Sequence, residues 1–177
     1  MENNSYKEVV YKNTMAQVKR WMVNSGFNMV CEAFGPHEGY LAEVLTDDGA
    51  YTLKVRGGRT REKLFIQAVA HTRVREEDRP RVNDMLALEG DNRVEGRVSI
   101  NRDGSLVAHV SLALEPFAQM LENLTALAGE TGAPPEMVEG MERLCVPGRA
   151  FFEDQGDLAL ALVMEAQEKA DKLLGRR

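Results

Sequence analysis

The stretch spanning residues 96–114, "GRVSINRDGSLVAHVSLAL", decides the fold. Apolar residues alternate on both sides of a short break, with Val98 and Ile100 before it and Leu106, Ala108, Val110, Leu112 and Leu114 after it. A period of two marks a half-buried strand. The break, Asn101-Arg102-Asp103-Gly104-Ser105, contains an Asp-Gly pair that reaches positive φ at little steric cost. Two alternating runs joined by such a turn predict a β-hairpin. The hairpin carries no evident catalytic group, so it speaks to fold before function.

Working outward, "EEDRPRVNDMLALEGDN" predicts a helix just upstream. Glu76, Glu77 and Asp78 would favour its positive end, and Pro80 is tolerable only near that start. Val82, Met85, Leu86 and Leu88 form its apolar stripe. Further back, "KLFIQAVAHT" (63–72) reads as a strand. Tyr40 to Thr46 and Tyr51 to Arg56 read as a hairpin across Asp47-Asp48-Gly49-Ala50. Phe27 to Phe34 is a further short strand, broken by Gly35-Pro36-His37-Glu38-Gly39. The chain opens with a helix over about 13–25, where Met15, Val18 and Met22 share a face beside Trp21.

Downstream, Pro116 begins a helical third in which Phe117, Met120, Leu121, Leu124 and Leu127 recur at helical spacing. "GETGAPPE" interrupts it, "MVEGMERLC" predicts a short helix, and "VPGRAFFEDQG" reads as a loop. A final helix is expected from about Asp157 to Leu174. The pattern is a helix, three or four strands, a helix, two strands and then helices. It predicts an α+β fold: an antiparallel sheet of about five strands with helices on one face. The expected order is α-β-β-β-α-β-β-α, followed by a C-terminal helical extension. The division expected is a core over 1–128 and an extension over 129–177.

The 177 residues suffice for one buried core, and 44% apolar with 28% charged residues is ordinary for a globular chain. No apolar run approaches a membrane span, and the polar start, Met-Glu-Asn-Asn-Ser-Tyr-Lys-Glu, does not read as a signal peptide. Cys31 and Cys145 stand far apart with no CxxC, so neither a disulfide framework nor a zinc site is expected. These features predict a cytoplasmic protein.

Charge is unevenly spread. Residues 115–177 hold twelve acidic and six basic side chains, a balance equal to the net −6 of the whole chain. Residues 54–81 hold nine basic and four acidic groups. This separation suits docking between or within chains, and is too weak to predict a nucleic-acid partner.

Chemistry is sparse. His37, His71 and His109 show no metal-ligand spacing, no GxSxG is present, and the paired carboxylates are explained by turns and helix starts. No cofactor and no enzymatic activity are expected. The exception is "KVRGGRTREK" (54–63), where Arg56, Gly57, Gly58, Arg59 and Arg61 join glycine-turn amides to guanidinium groups. Such a loop can hold phosphate or carboxylate, although it matches neither a P-loop nor a dinucleotide fingerprint. A solvated hairpin loop is the simpler reading.

Residues 82–112, "VNDMLALEGDNRVEGRVSINRDGSLVAHVSL", resemble the YbjN-type proteins, labelled bacterial sensory transduction regulators. An apolar helix ends near an Asn, a Gly-bearing strand follows, and an Asp-Gly turn leads to a returning strand. Asn92, Gly96, Val98, Ile100, Asp103, Gly104 and Leu106 match that plan, and the resemblance extends over roughly 13–130. It implies a fold similar to the type III secretion chaperones. It further implies a non-enzymatic binding module, chaperone-like or regulatory, acting on a protein client as a homodimer. Phe117, Met120, Leu121 and Leu124 are the candidate partner-binding residues. The expected dimer interface includes part of residues 116–174, with the basic 54–81 band facing the acidic third of a second copy. Packing of that third on its own core is the competing expectation. The second functional reading is an anion or small-ligand sensor built on the 54–63 loop.

Overall fold

The computed structural model describes residues 3–34, 37–47, 49–90 and 96–176. Gly35, Pro36, Asp48, Asn92 and Val94 lie outside the described residues, as do the side chains of Cys31 and His37. Helix α1 (Asn3–Asn24) leads into strands β1 (Asn28–Phe34), β2 (His37–Thr46), β3 (Gly49–Gly57) and β4 (Lys63–Arg73). A 3-10 turn (Glu76–Asp78) precedes α2 (Arg79–Gly90), then β5 (Arg97–Ile100) and β6 (Ser105–Ala113). Helices α3 (Glu115–Thr131), α4 (Pro135–Leu144) and α5 (Arg149–Leu174) complete the chain.

The strands form one antiparallel sheet in the order β1-β2-β3-β4-β6-β5. The α+β class and the grouping of helices after the hairpin are as expected. Four strands precede α2, the upper of the two counts expected, and the short Asn28–Phe34 run pairs with β2 as an edge strand. The sheet therefore has six strands.

Register explains why one face is buried. Tyr51, Leu53 and Val55 lie opposite Ala70, Ala68 and Ile66, and Leu64, Ile66 and Ala68 lie opposite Leu112, Val110 and Ala108. All of these are buried except Leu112, which is half-buried against the same core. Alternation puts their neighbours, including Thr52, Lys54, Arg56, Phe65 and Gln67, on the opposite face. The hairpin turn confirms the Asp-Gly argument. Gly104 has φ +91°, and a Cβ there would lie 2.6 Å from the Val74 carbonyl oxygen. Asp103 accepts from both the backbone N–H and the hydroxyl of Ser105, at 3.1 and 3.0 Å. The Ser105 N–H is the main cause holding the Asp103 carboxyl below its usual range.

Three sequence expectations shift. Helix α1 begins ten residues before the expected 13, because Val10, Tyr11, Thr14, Met15, Val18, Trp21 and Met22 make one continuous buried stripe. Thr14 is tolerated there because its hydroxyl donates to the Val10 carbonyl at 2.6 Å. Leu88, assigned to the apolar stripe of α2, is exposed, whereas Val82 and Leu86 are buried.

The third shift matters most. Residues Arg149 to Gly156, read as loop, form the first two turns of α5. Phe152 is fully buried and stacks on Trp21 with ring centroids 6.0 Å apart, while Phe27 meets the same indole edge-on at 5.6 Å. Gly156, Ala159, Ala166 and Ala170 are small and buried along α5, and Ala68, Ala70 and Ala108 are small and buried on β4 and β6. These residues let the helix lie close to the sheet. Phe152, Leu162 and Val163 join the same apolar core as Trp21 and Leu53. A division at 128/129 falls inside α3, and the chain beyond it supplies part of that core.

Candidate functional site

Three surfaces bear on function. The first is the β3–β4 loop, whose five candidate residues diverge. Gly57 is buried against Tyr11, so close that a Cβ would meet the tyrosine hydroxyl at 2.0 Å. The Gly58 N–H donates to the Lys63 carbonyl at 2.8 Å, which occupies the amide that an anion would use. Arg61, at φ +57°, pairs with Glu8 and lies over the Tyr11 ring, while Lys7 pairs with Glu62 at 2.8 Å. The Arg61 bond holds Glu8 below the ordinary carboxylate range, and the Lys7 bond does the same for Glu62. Arg59 is exposed. Arg56 points to the opposite face of the sheet, with its guanidinium carbon 5.4 Å from the Phe65 ring centroid. The loop is thus fastened to α1 rather than opened around a shared point.

The second surface is the sheet face turned away from α1 and α5, together with the adjoining corner where β6 and the start of α5 line one groove. Pairing sets Arg56, Phe65 and Ser111 in one cross-strand row, and Lys54, Gln67, His109 and Arg97 in the next. A groove of about 720 Å³ runs over this corner, lined by Arg56, Phe65, Gln67, Arg97, His109 and Ser111. It continues past Gly96 to Phe151 and Gln155 at the start of α5. His109 sits in its floor: Nδ1 is 2.8 Å from Gln67 Nε2, and Nε2 is 3.1 Å from Ser99 Oγ. With the Gln67 amide donating to Nδ1, the ring proton lies on Nε2 and donates to Ser99. Burial first, and the Arg56 cation second, hold His109 below the ordinary imidazole range. Among the described residues the buried Arg56 Nε has no hydrogen-bond partner.

The third surface is the α3–α4 pair. Of the candidate partner-binding residues, Leu121 is fully buried, Phe117 and Leu124 are half-buried against the core, and Met120 is 42% exposed. Leu127 is 56% exposed and lies one heptad beyond Met120. On α4, Met137 and Leu144 have the same spacing and are 53% and 79% exposed. Helix α3 turns one apolar row inward and leaves another at its flank, whereas α4 rests on the core through half-buried Met141. The Asn13 side chain donates to the Glu142 carbonyl at 2.9 Å, which fixes α4 against α1.

The C-terminal third meets the 54–81 band within the chain, but with the charges reversed from that asymmetry, Arg176 coming from the acidic third and Asp78 from the basic band. Arg176 pairs with Asp78 at 3.2 Å and donates to the Arg73 carbonyl at 3.3 Å, and Arg81 donates to the Leu173 carbonyl at 3.4 Å. Gln167 donates to Thr72 at 3.0 Å. The end of α5 therefore rests on the 54–81 band. Cys145 is buried, and loss of solvent pushes its thiol up. Among the described residues no helix is long and apolar enough to cross a membrane.

Fold and surfaces together define an α+β protein with a six-stranded antiparallel sheet, one face under helices and the other bearing a basic groove. No family model and no curated protein matches the sequence. Among solved structures, the chain is similar to a crystal structure of YbjN, a transcription-regulator candidate from E. coli. The TM-score is 0.46 with 14% identity, over 86% of this chain and 90% of that one.

The groove was not legible as a site in the sequence. Its members come from α2, β3, β4, β5, β6 and α5, and cross-strand register brings the strand residues together. The available signal was parity: Arg56, Phe65, Gln67, His109 and Arg97 all occupy the outward positions of alternating strands.

Proposed function

We propose that this chain is a non-enzymatic protein-binding module, chaperone-like or regulatory, that acts as a homodimer through its α3–α4 surface. The observation that carries the reading is the pair of exposed apolar rows, Met120 with Leu127 and Met137 with Leu144, on adjacent helices. Single exposed apolar residues are commonplace; two rows at heptad spacing on consecutive helices support the reading of an interaction surface. Two of the four are methionines, whose flexible thioethers adapt to varied partners. A second copy is the partner of choice because two-fold dimers are the commonest assembly and place one such patch against another. Burial of apolar area, at roughly 25 cal/mol per Å², is the stabilising term.

Cutting the chain at Gly129 does not test this reading, since the cut removes Phe152, Leu162 and Val163 from the core. Surface substitution does. Light scattering on the intact protein at micromolar concentration is expected to give a dimer mass, and the double variant Leu127→Asp/Leu144→Asp a folded monomer. A monomer before substitution refutes the dimer. A dimer that survives both aspartates refutes the surface.

A further inference from the structure

We propose that the groove on the outer sheet face is a binding site for a small organic anion, with Arg56 and Arg97 engaging its charge and Phe65 and Phe151 its apolar body. The site is distinct from the β3–β4 loop and stands whether or not the α3–α4 surface carries a partner.

Charge comes first. The described lining holds two guanidinium groups and one imidazole, and no carboxylate. Arg56 forms no ion pair among the described residues: its guanidinium lies over Phe65 instead, and its buried Nε is left without an acceptor. Removing such a donor from water without a partner costs free energy that an incoming oxygen would recover. Arg97, opposite His109 on the short strand β5, is exposed and likewise has no ion pair among the described residues. Of the charged groups near His109, Arg56 from β3 acts on its imidazole and Arg97 stands opposite it on β5, both cationic.

Geometry comes second. Arg56 and Arg97 lie three strands and one cross-strand row apart. At about 4.8 Å between strands and about 3.4 Å per residue, their Cα atoms are roughly 16 Å apart. Two long side chains leaning inward from that distance close on a group the size of a phosphate or carboxylate. Arg56 does lean inward, since its guanidinium has crossed from β3 to lie over Phe65 on β4. Between the arginines the floor offers Gln67, His109 and Ser111, which orient a ligand by hydrogen bonds. A volume of about 720 Å³ is that of a small-molecule site, larger than an inorganic ion needs. The two phenylalanines, one on the sheet and one on α5, supply contact for a flat apolar body.

The test uses the intact protein at about 150 mM salt, with phenyl phosphate, benzoate, inorganic phosphate and phenol as probes, read by calorimetry and by backbone NMR shifts. A ringed anion is expected to saturate with Kd below about 1 mM and to shift Gln67, His109 and Ser111. Phenyl phosphate against benzoate then tells a phosphate ester from a carboxylate. Inorganic phosphate and phenol should each bind at least about tenfold more weakly, since each offers half of the recognition. Arg56→Gln and Arg97→Gln should each weaken binding about tenfold or more, the loss of one charge-assisted bond. Arg59→Gln, in the loop, should leave it unchanged. Urea midpoints within error of the parent confirm that the glutamine variants are folded. The proposal is overturned if neither ringed anion saturates by about 10 mM, or if the glutamine variants bind as the parent does. Shifts confined to residues 58–61, or inorganic phosphate binding as well as phenyl phosphate, overturn it too. A single-stranded oligonucleotide that binds more tightly, with the same arginine dependence, would make the face a nucleic-acid surface instead.

Discussion

Substituting Gly156 by alanine sets two known effects against each other, and the position of α5 decides which wins. In an exposed helix interior, Gly→Ala stabilises by about 0.8–1.0 kcal/mol. At Gly156 the new Cβ would lie 2.8 Å from both Cη2 and Cζ2 of Trp21, nearly 1 Å inside ordinary carbon contact. The indole cannot retreat readily, because Phe27 and Phe152 hold its edge and face. Overpacking of this kind costs about 1–3 kcal/mol. The expected balance is destabilisation of about 1 kcal/mol, the clash outweighing the propensity. The decisive arm is the same substitution in a Trp21→Phe background. Phenylalanine lacks the benzo ring that carries Cη2 and Cζ2, so the clash goes and the propensity remains. There Gly156→Ala should stabilise by about 1 kcal/mol relative to Trp21→Phe alone. Urea unfolding followed by far-UV circular dichroism reads all four proteins. If alanine stabilises equally in both backgrounds, α5 does not press on Trp21 and the core described above is wrong at that point.

Leu121→Ala is expected to cost about 2–5 kcal/mol by urea unfolding, because the side chain is fully buried, whereas Met120→Ala one residue earlier should cost well under 1. Equal costs would mean that α3 is rotated from the orientation described. His109 makes stability depend on pH. Its folded pKa lies below the unfolded value of about 6.5, so the unfolded chain takes up protons first and stability falls as pH drops through and below that value. Urea midpoints at about pH 7.5 and 5.5 should draw closer together in His109→Gln, and an unchanged gap would remove His109 as the cause.

Local sequence determined this protein wherever one segment contained its own explanation. The alternation of Val98, Ile100, Leu106, Ala108 and Val110 about Asp103-Gly104 specifies a hairpin, since a period of two and a turn with positive φ leave the backbone little alternative. The spacing of Phe117, Leu121 and Leu124 specifies the inner face of α3 in the same way, although Leu127, read in the same stripe, stays exposed. It did not say that Met120 would stay outside, because the edge of an apolar stripe is set by what the helix meets. Helix α5 shows the limit more plainly. Pro147, Gly148 and Gly156 make residues 146–156 look like a loop, and short helices draw most of their stability from packing rather than propensity. The first turns of α5 are helical with Phe152 stacked on Trp21, a partner 131 residues away in the chain. The groove depends on distance along the chain even more completely. Arg56, Gln67, His109 and Arg97 become neighbours only when four strands pair in one register, and register is set by burying the other face of the sheet.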